Sequence, residues 1–479
     1  MIGTPNDILS LNALLTEVLL RVLALEGENG LLKEENMMLK AENEELKRRL
    51  GLNSTNSHKP PCSEGYKKSP ALKKAGGGLV GGQKGHAGHT LEMRGVGEVD
   101  SVVVHRAERC SCCGRLFGEL EAEHVLYRRQ VFDIPVPKLE IMEHQVVGIV
   151  CCGETHVGHF PGEVKAPVQY GIRLKALAAL LNTDFRLPFG KISQLFQDLY
   201  GYDLSEGTLT SANEAVFEAL APVEADIKAA VLASEVVHFD ETGMRVEGEL
   251  HWFHTACTSL VCYLYVHKKR GKEALEAAES VIKDFTNWAI HDCWSSYFPF
   301  TGCKHALCNA HILRELTALI ENGSLWAGAM HKLLLEIYLT SQKGTQILPN
   351  KAQWYEKYTA ICEAADKEEP IPIKDPKSRG KPKNTKGRNL LNRLVTHQDG
   401  VLAFAFQTNI PFTNNQAERD IRHVKVKQKV AMSFRTLHGA KVYARIQSFV
   451  ATTRKKNQNT FSQLCNVLQG KEYLLTIPE

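Results

Sequence analysis

Over the first fifty positions, apolar residues recur at alternating intervals of four and three. Leu11, Leu15, Val18, Val22, Leu25, Leu32, Leu39, Leu46 and Leu50 form the stripe, and Asn29, Asn36 and Asn43 fall on it too. Such a sustained heptad pattern predicts a helix over 8–50 that pairs as a coiled coil. Asn on the seam favours a parallel two-stranded register at some cost in stability. Gly27 and Gly30 weaken the middle. An amphipathic helix packed on its own chain fits the unbroken heptads less well. Residues 1–50 are therefore read as a leucine-zipper coiled coil that makes a homodimer or higher multimer.

The stripe stops at Leu50. Asn53 to Pro61 includes two prolines that cannot continue a helix. Lys67, Lys68, Lys73 and Lys74 then lead into Gly76-Gly77-Gly78 and the run GGQKGHAGH. Residues 51–95 read as a basic Gly-rich linker. Residues 96–168 read as a small module. It holds a Cys-x-x-Cys-Gly knuckle from Cys110 to Gly114, β-like runs over Tyr127–Pro137 and Leu139–Val150, and then Cys151-Cys152-Gly153. Two such knuckles would hold a tetrahedral zinc ion, which makes this a zinc-ribbon-like (zinc-finger-like) module with zinc as a candidate ion. Residues 169–233 turn helical over Leu174–Leu181 and Phe189–Leu199, with Ser205 as the N-cap of a third helix. They fit a DNA-contacting helix-turn-helix and scaffold helices equally.

At Ser234 the pattern becomes that of a sheet. Val236–Phe239 reads as a short buried strand running into a turn at Asp240-Glu241-Thr242-Gly243. Leu250–Thr255 and Val261–Val266 are two more β-rich runs, Lys272–Val281 reads as a helix, and the strand beginning at Trp288 leads to Asp292. A carboxylate at the end of a buried strand serves a core poorly, because an unpaired buried charge is costly. It is well placed to hold a metal ion. Lys304–Cys308 reads as a fifth strand, helices follow over 312–320, 325–342 and 350–366, and Pro370–Arg388 reads as a mobile basic loop. The fold class is thus multidomain α+β. An α/β core occupies 234–310 and 396–430, a helical insertion 311–395, and a helical segment 431–479.

Composition adds a partner. The net charge is only +4 over 479 residues, but the charge is uneven. Lys374–Arg388 carries seven basic residues against one Asp, and Arg419–Lys456 eleven against one. One such cluster could be a solvated surface; two beside a carboxylate site point to nucleic acid. No signal peptide or bilayer-length apolar run is evident. Thirteen scattered cysteines fit reduced thiols better than a disulfide framework. The expected location is the cytoplasm, with no membrane partner.

Three blocks then carry a resemblance. HFDETG around Asp240, AIHDCWSS around Asp292 and NNQAERDIRHVKVKQKVAMSF around Glu418 resemble the DDE transposases of the insertion sequence 66 family. The resemblance implies a ribonuclease-H-like catalytic core. In it Asp240, Asp292 and Glu418 are both catalytic and metal-binding, with magnesium or manganese as cofactor and Asp240 bridging two ions. Glu241 and Asp420 are the nearest competing carboxylates, and the family positions match Asp240 and Glu418 instead. On its helix, Glu418 would share a stripe with Arg422, Lys425 and Lys429. Taken alone, a Glu418–Arg422 helix salt bridge is the plainer reading. Arg435, Lys441 and Arg445 are expected backbone-phosphate contacts. The Cys308-x-x-His311 pair, also seen in several DDE families, reads as structural.

The family shows a second Cys-x-x-Cys-Gly near Cys152, and here this chain departs from it: the position three before Cys152 is Ile149. Cys151, His156 or His159 would have to complete the set, and the candidate zinc ligands are Cys110, Cys113, Cys152 and His156. The implied function is a nucleoid-associated DNA transposase that binds terminal inverted repeats, cuts strand ends and joins them to target DNA, with element-encoded accessory proteins as partners. The alternatives are a catalytically inactive DNA-binding protein and a ribonuclease-H-like nuclease that cuts without joining.

Overall fold

The computed structural model of the protein describes residues 5–50, 91–118, 125–372 and 382–475. Helix α1 (Pro5–Leu50) spans the heptad region as one element. Its seam residues Val18, Val22, Leu25, Leu32 and Leu39 are all exposed in the single chain. Most of the predicted linker, 51–90, lies outside the described residues.

One compact unit takes in 91–159 together with Phe196–Tyr202. Besides a 3-10 turn at Val96–Glu98 and the last residues of a helix ending at Tyr200, its regular structure is two tight turns. In the first, the Cys110 N–H donates to the Arg115 carbonyl at 2.8 Å and the Gly114 N–H to the Cys110 carbonyl at 2.9 Å. In the second, β1 (Gly148–Cys151) and β2 (Glu154–Val157) pair antiparallel. Cys152 and Gly153 join them with φ of 52° and 83°, a two-residue turn whose left-handed backbone suits glycine. The expected β structure over 127–150 is realised only from Gly148 onward. Pro135 and Pro137 remove two ladder donors from that stretch.

The other unit holds the sheet. Helices α2 (Ile172–Thr183), α3 (Phe189–Tyr200), α4 (Glu206–Ala219) and α5 (Ala221–Leu232) precede it. Strands β3 (Val236–Val246), β4 (Glu249–Cys257) and β5 (Cys262–His267) form an antiparallel meander. After the single turn of α6 (Lys272–Leu275), β6 (Trp288–His291) and β7 (Lys304–Leu307) add in parallel on the other side of β3. The order is β5-β4-β3-β6-β7. Helices α7 (Asn309–Glu321), α8 (Leu325–Thr340), α9 (Lys351–Glu368), α10 (Lys386–Thr396) and α11 (Gln398–Phe406) follow. Then come α12 (Asn415–Ala431), β8 (Ser433–Phe434), which pairs with the end of β3, α13 (Leu437–Lys455) and α14 (Thr460–Leu468).

Three cores cover the sheet. On one face, Val237, Phe239, Ala256 and Tyr263 pack with α2, α4, α5, α13 and α14. On the other, Met244, Val246, Phe253 and Leu264 pack with Ala417, Ile421 and Val424 of α12 and with Tyr443. Ile290, Ala306 and Leu307 join the core of the α7–α11 insertion. The apolar faces of α2, α4 and α5 are thus used as scaffold. Edge strand β5 is blunted by α13: Ser448 and Thr452 accept the Leu264 and Cys262 N–H groups at 2.9 and 3.0 Å.

Two sequence expectations change here. The chain does not turn at Asp240–Gly243; β3 runs on to Val246, because β4 pairs with it along that whole length. The helix expected over 272–281 stops at Leu275. Ser280, Val281 and Ile282 are buried in succession, and one helix face cannot bury three consecutive residues.

Candidate active site

Alternate residues of a strand face opposite sides of its sheet. Val237 and Phe239 enter the core with α5 and α13, whereas Met244 and Val246 pack under α12. By that alternation Asp240 shares the α12 face with His238, and Glu241 faces away. The parallel register of β3 with β6 ends at His238↔Ile290, and the Asp292 charge two residues on raises both Asp240 and Glu241. Asp292 lies just beyond the end of β6.

The third carboxylate comes from the first turn of α12. Asn414, immediately before that helix, fixes its entry. Its Nδ2 donates to the Phe239 carbonyl at 2.7 Å, its Oδ1 lies 2.8 Å from His238 Nδ1, and its backbone N–H donates to Cys308 Sγ at 3.1 Å. Glu418, one turn on, is near enough for its charge to raise Asp240.

Electrostatics report the crowding. Asp240 is held well above the ordinary carboxylate range by burial, by the adjacent Glu241 charge, and by the charges of Asp292 and Glu418, partly opposed by the Glu241 N–H on Oδ1. Among the described residues neither Asp240 nor Asp292 forms an ion pair. Two of the nearby imidazoles bring no compensating charge: burial pushes His291 down to about 3 and lowers His238 as well. Glu418 Oε1 is buried without a hydrogen bond among the described residues.

The competing carboxylates are engaged elsewhere. Arg270 donates to Glu241 Oε1 through Nε at 2.9 Å and Nη2 at 2.6 Å, and the Tyr297 hydroxyl donates to Oε2 at 2.7 Å. Arg270 itself lies over the Trp252 and Trp294 rings at 4.9 and 4.2 Å. Asp420 is held by Lys455 and Gln416. The Glu418–Arg422 helix pair, the rival reading of Glu418, is not among the ion pairs of the described residues; Glu418 is instead 3.9 Å from His311 Nε2.

Residues 167–442 match the family model described as Transposase IS66 family, a span of more than half the chain that contains all three carboxylates. The chain belongs to the IS66 transposase family. Membership implies a DNA-processing enzyme. A second family model, of unknown function (DUF6444), matches residues 8–92 of this transposase. No curated protein matches it.

In this IS66 chain the expected DNA contacts divide. Arg422, Lys425 and Lys429 all lie exposed on α12, although Lys425 Nζ also reaches the Gly243 carbonyl. Arg435 and Lys441 are exposed and sit 3.6 and 3.9 Å from Glu206 and Glu279. Arg445 is placed differently. Its guanidinium donates to Glu224 at 2.7 Å and to the Phe217 carbonyl at 2.9 Å, and stacks 3.7 Å over the Phe217 ring. It is spent inside the fold.

The zinc candidates are not gathered: no three of Cys110, Cys113, Cys152 and His156 have ligand atoms within 4.8 Å of one another. Cys110 and Cys113 sit in one turn, where backbone N–H groups of Cys113 and Cys112 lower the Cys110 thiol. No described helix of the transposase is long and apolar enough to cross a membrane.

Sequence reasoning missed Asn414, His238, Arg270 and Tyr297 as organisers of the site. Asn414 stands in the quoted NNQAER block and could have been singled out there. His238 opens the quoted HFDETG block and could have been singled out likewise; Arg270 and Tyr297 carry no signal of their own.

Proposed function

We infer that this protein is a DDE-type DNA transposase that binds the terminal inverted repeats of its element, cuts the strand ends and joins them to target DNA. The observation that carries the reading is that the charges of Asp292 and Glu418 both act on the buried Asp240, while both rival carboxylates are tied up by cations. A strand order of β5-β4-β3-β6-β7, antiparallel for three strands and parallel for two, supports a ribonuclease-H-like core.

The donor set fits magnesium or manganese. It is all hard oxygen, and the charges of Glu241, Asp292 and Glu418 all press on Asp240. When bound, a pair of such ions supplies an activated hydroxyl nucleophile and stabilises the leaving oxygen. Every other task falls to the chain. Asp240 and Asp292 present carboxylates from a rigid sheet. Asn414 and His238 set the angle at which Glu418 meets them. Arg422, Lys425 and Lys429, on exposed positions of the same helix, hold the phosphate backbone beside the carboxylates.

Two DNA ends must be held together for joining, and the exposed heptad seam of α1 supports a parallel homodimer as the holder. Accessory proteins of the element and a cytoplasmic, nucleoid-associated setting belong to the same reading. A structural zinc would require Cys110, Cys113, Cys152 and His156 to close around one ion, which is not their described arrangement.

Joining of pre-cleaved element ends to supercoiled target, with magnesium or manganese supplied, tests the function. Joined product supports the transposase. Metal-dependent nicking alone favours the nuclease, and DNA binding alone favours the inactive DNA-binding protein.

A further inference from the structure

Beside the carboxylates lies a second donor set of different chemistry. Cys308 Sγ, a ring nitrogen of His311 and a carboxylate oxygen of Glu418 lie within 4.8 Å of one another, and His311 Nε2 is 3.9 Å from Glu418 Oε1. Cys308 caps the N-terminus of α7, His311 stands in its first turn, and Glu418 stands in the first turn of α12.

Burial raises the Cys308 thiol to about 11, so a bound ion has to displace its proton. The Asn414 N–H donates to the sulfur at 3.1 Å, and the Ala310 and His311 amides point to it from the first turn of α7. Thiolate, imidazole and carboxylate together suit a borderline-soft ion rather than magnesium. A tetrahedral ion with bonds of about 2.0–2.3 Å implies ligand separations of roughly 3.4–3.6 Å. His311 Nε2 and Glu418 Oε1, at 3.9 Å, are within about half an ångström of that separation. One coordination position stays open to water.

We propose that Cys308, His311 and Glu418 form a binding site for a zinc-type divalent cation, and that filling it withdraws Glu418 from Asp240 and Asp292. Glu418 is the shared residue, so the two sites cannot both use its carboxylate fully. A zinc-type ion then acts as an inhibitor of the magnesium-dependent reaction. This second half rests on the transposase function proposed above; the binding site itself does not.

Cobalt(II), whose thiolate complexes absorb in the near ultraviolet, is titrated into metal-free full-length protein as a probe for zinc. The reading is the difference between wild type and Cys308→Ser, which cancels absorption from every other cysteine. A thiolate band present in wild type and missing from Cys308→Ser is expected. Loss even of an outer-shell partner weakens metal binding by 10–100-fold, so His311→Gln and Glu418→Gln are expected to shift the cobalt midpoint by roughly tenfold or more. These two decide the matter if Cys308→Ser fails to fold by circular dichroism. Identical spectra for wild type and Cys308→Ser, or unmoved midpoints, overturn the site.

Inhibition is read separately, with each protein normalised to its own zinc-free joining rate in magnesium. Cys308→Ser is expected to need roughly tenfold more zinc for the same loss. Equal zinc sensitivity overturns the withdrawal of Glu418 even where cobalt binds. A wild type that joins nothing counts against the transposase function, and the cobalt titration still decides the site.

Discussion

Asn414 Oδ1 and His238 Nδ1 meet at 2.8 Å across 176 positions of sequence, one end of the pair on the entry to α12 and the other on β3. With the Asn414 bond to the Phe239 carbonyl, this contact decides where Glu418 stands relative to Asp240. Both residues are buried, so truncation leaves polar groups unsatisfied. Asn414→Ala is expected to destabilise the fold by about 1–3 kcal/mol. Its joining rate should fall while affinity for element-end DNA holds. Chemical denaturation and a paired binding and joining assay check this. An unchanged joining rate would show that the contact does not position Glu418.

Asp240 gives a pH dependence. An unfolded Asp titrates near 3.9, and burial with three neighbouring carboxylates raises the folded value well above that. Between the two values the folded chain keeps a proton the unfolded chain has lost, so stability falls as pH rises through that window. In chelator, Asp240→Asn should melt with wild type near pH 4 and above it at neutral pH. Added magnesium should then raise the wild-type midpoint and leave the variant unmoved. Differential scanning fluorimetry at several pH values measures both. A variant that melts below wild type at neutral pH would contradict the account.

Glu241 and Arg270 make the opposite case, a carboxylate used for structure. Glu241 is almost wholly buried at its side chain while Arg270 is 39% exposed. Removing Arg270 leaves a buried negative charge with only Tyr297 to hold it. Arg270→Ala should cost about 2–3 kcal/mol, less than a fully buried pair because the guanidinium is part-exposed. Adding Glu241→Gln to it should restore part of the loss, as a double-mutant cycle would record.

The basic residues separate by salt dependence. Arg422→Ala and Lys429→Ala should weaken binding to any DNA sequence and each lower the salt slope by about 1. Arg445→Ala should leave the slope unchanged and lower the thermal midpoint, since Arg445 holds Glu224 and Phe217. Titrations at several salt concentrations distinguish the two behaviours.

What the sequence made legible is what local pattern can carry. The heptads of α1, the strand runs of β3 to β7 and the helices of the insertion follow from periodicity. The choice of Asp240 over Glu241 is a matter of strand parity, readable once β3 is known to continue to Val246. Its continuation was hidden because Asp, Glu, Thr and Gly in a row look like a turn, whereas pairing with β4 holds them extended. The helix expected after Lys272 failed for a similar reason: core burial of Val281 and Ile282 overrode helix-favouring residues. Contacts such as Asn414–His238, Arg270–Glu241 and Cys308–Glu418 join distant elements, and no local pattern encodes them.

The account turns on which carboxylate completes the triad. Joining of pre-cleaved ends in magnesium should be measured for wild type, Asp240→Asn, Asp292→Asn and Glu418→Gln beside Asp420→Asn, with end-DNA binding recorded for each. The account predicts that the first three variants bind DNA but lose joining by orders of magnitude, while Asp420→Asn, provided it folds, keeps a measurable rate. Joining that survives in Glu418→Gln and vanishes in a folded Asp420→Asn would contradict it.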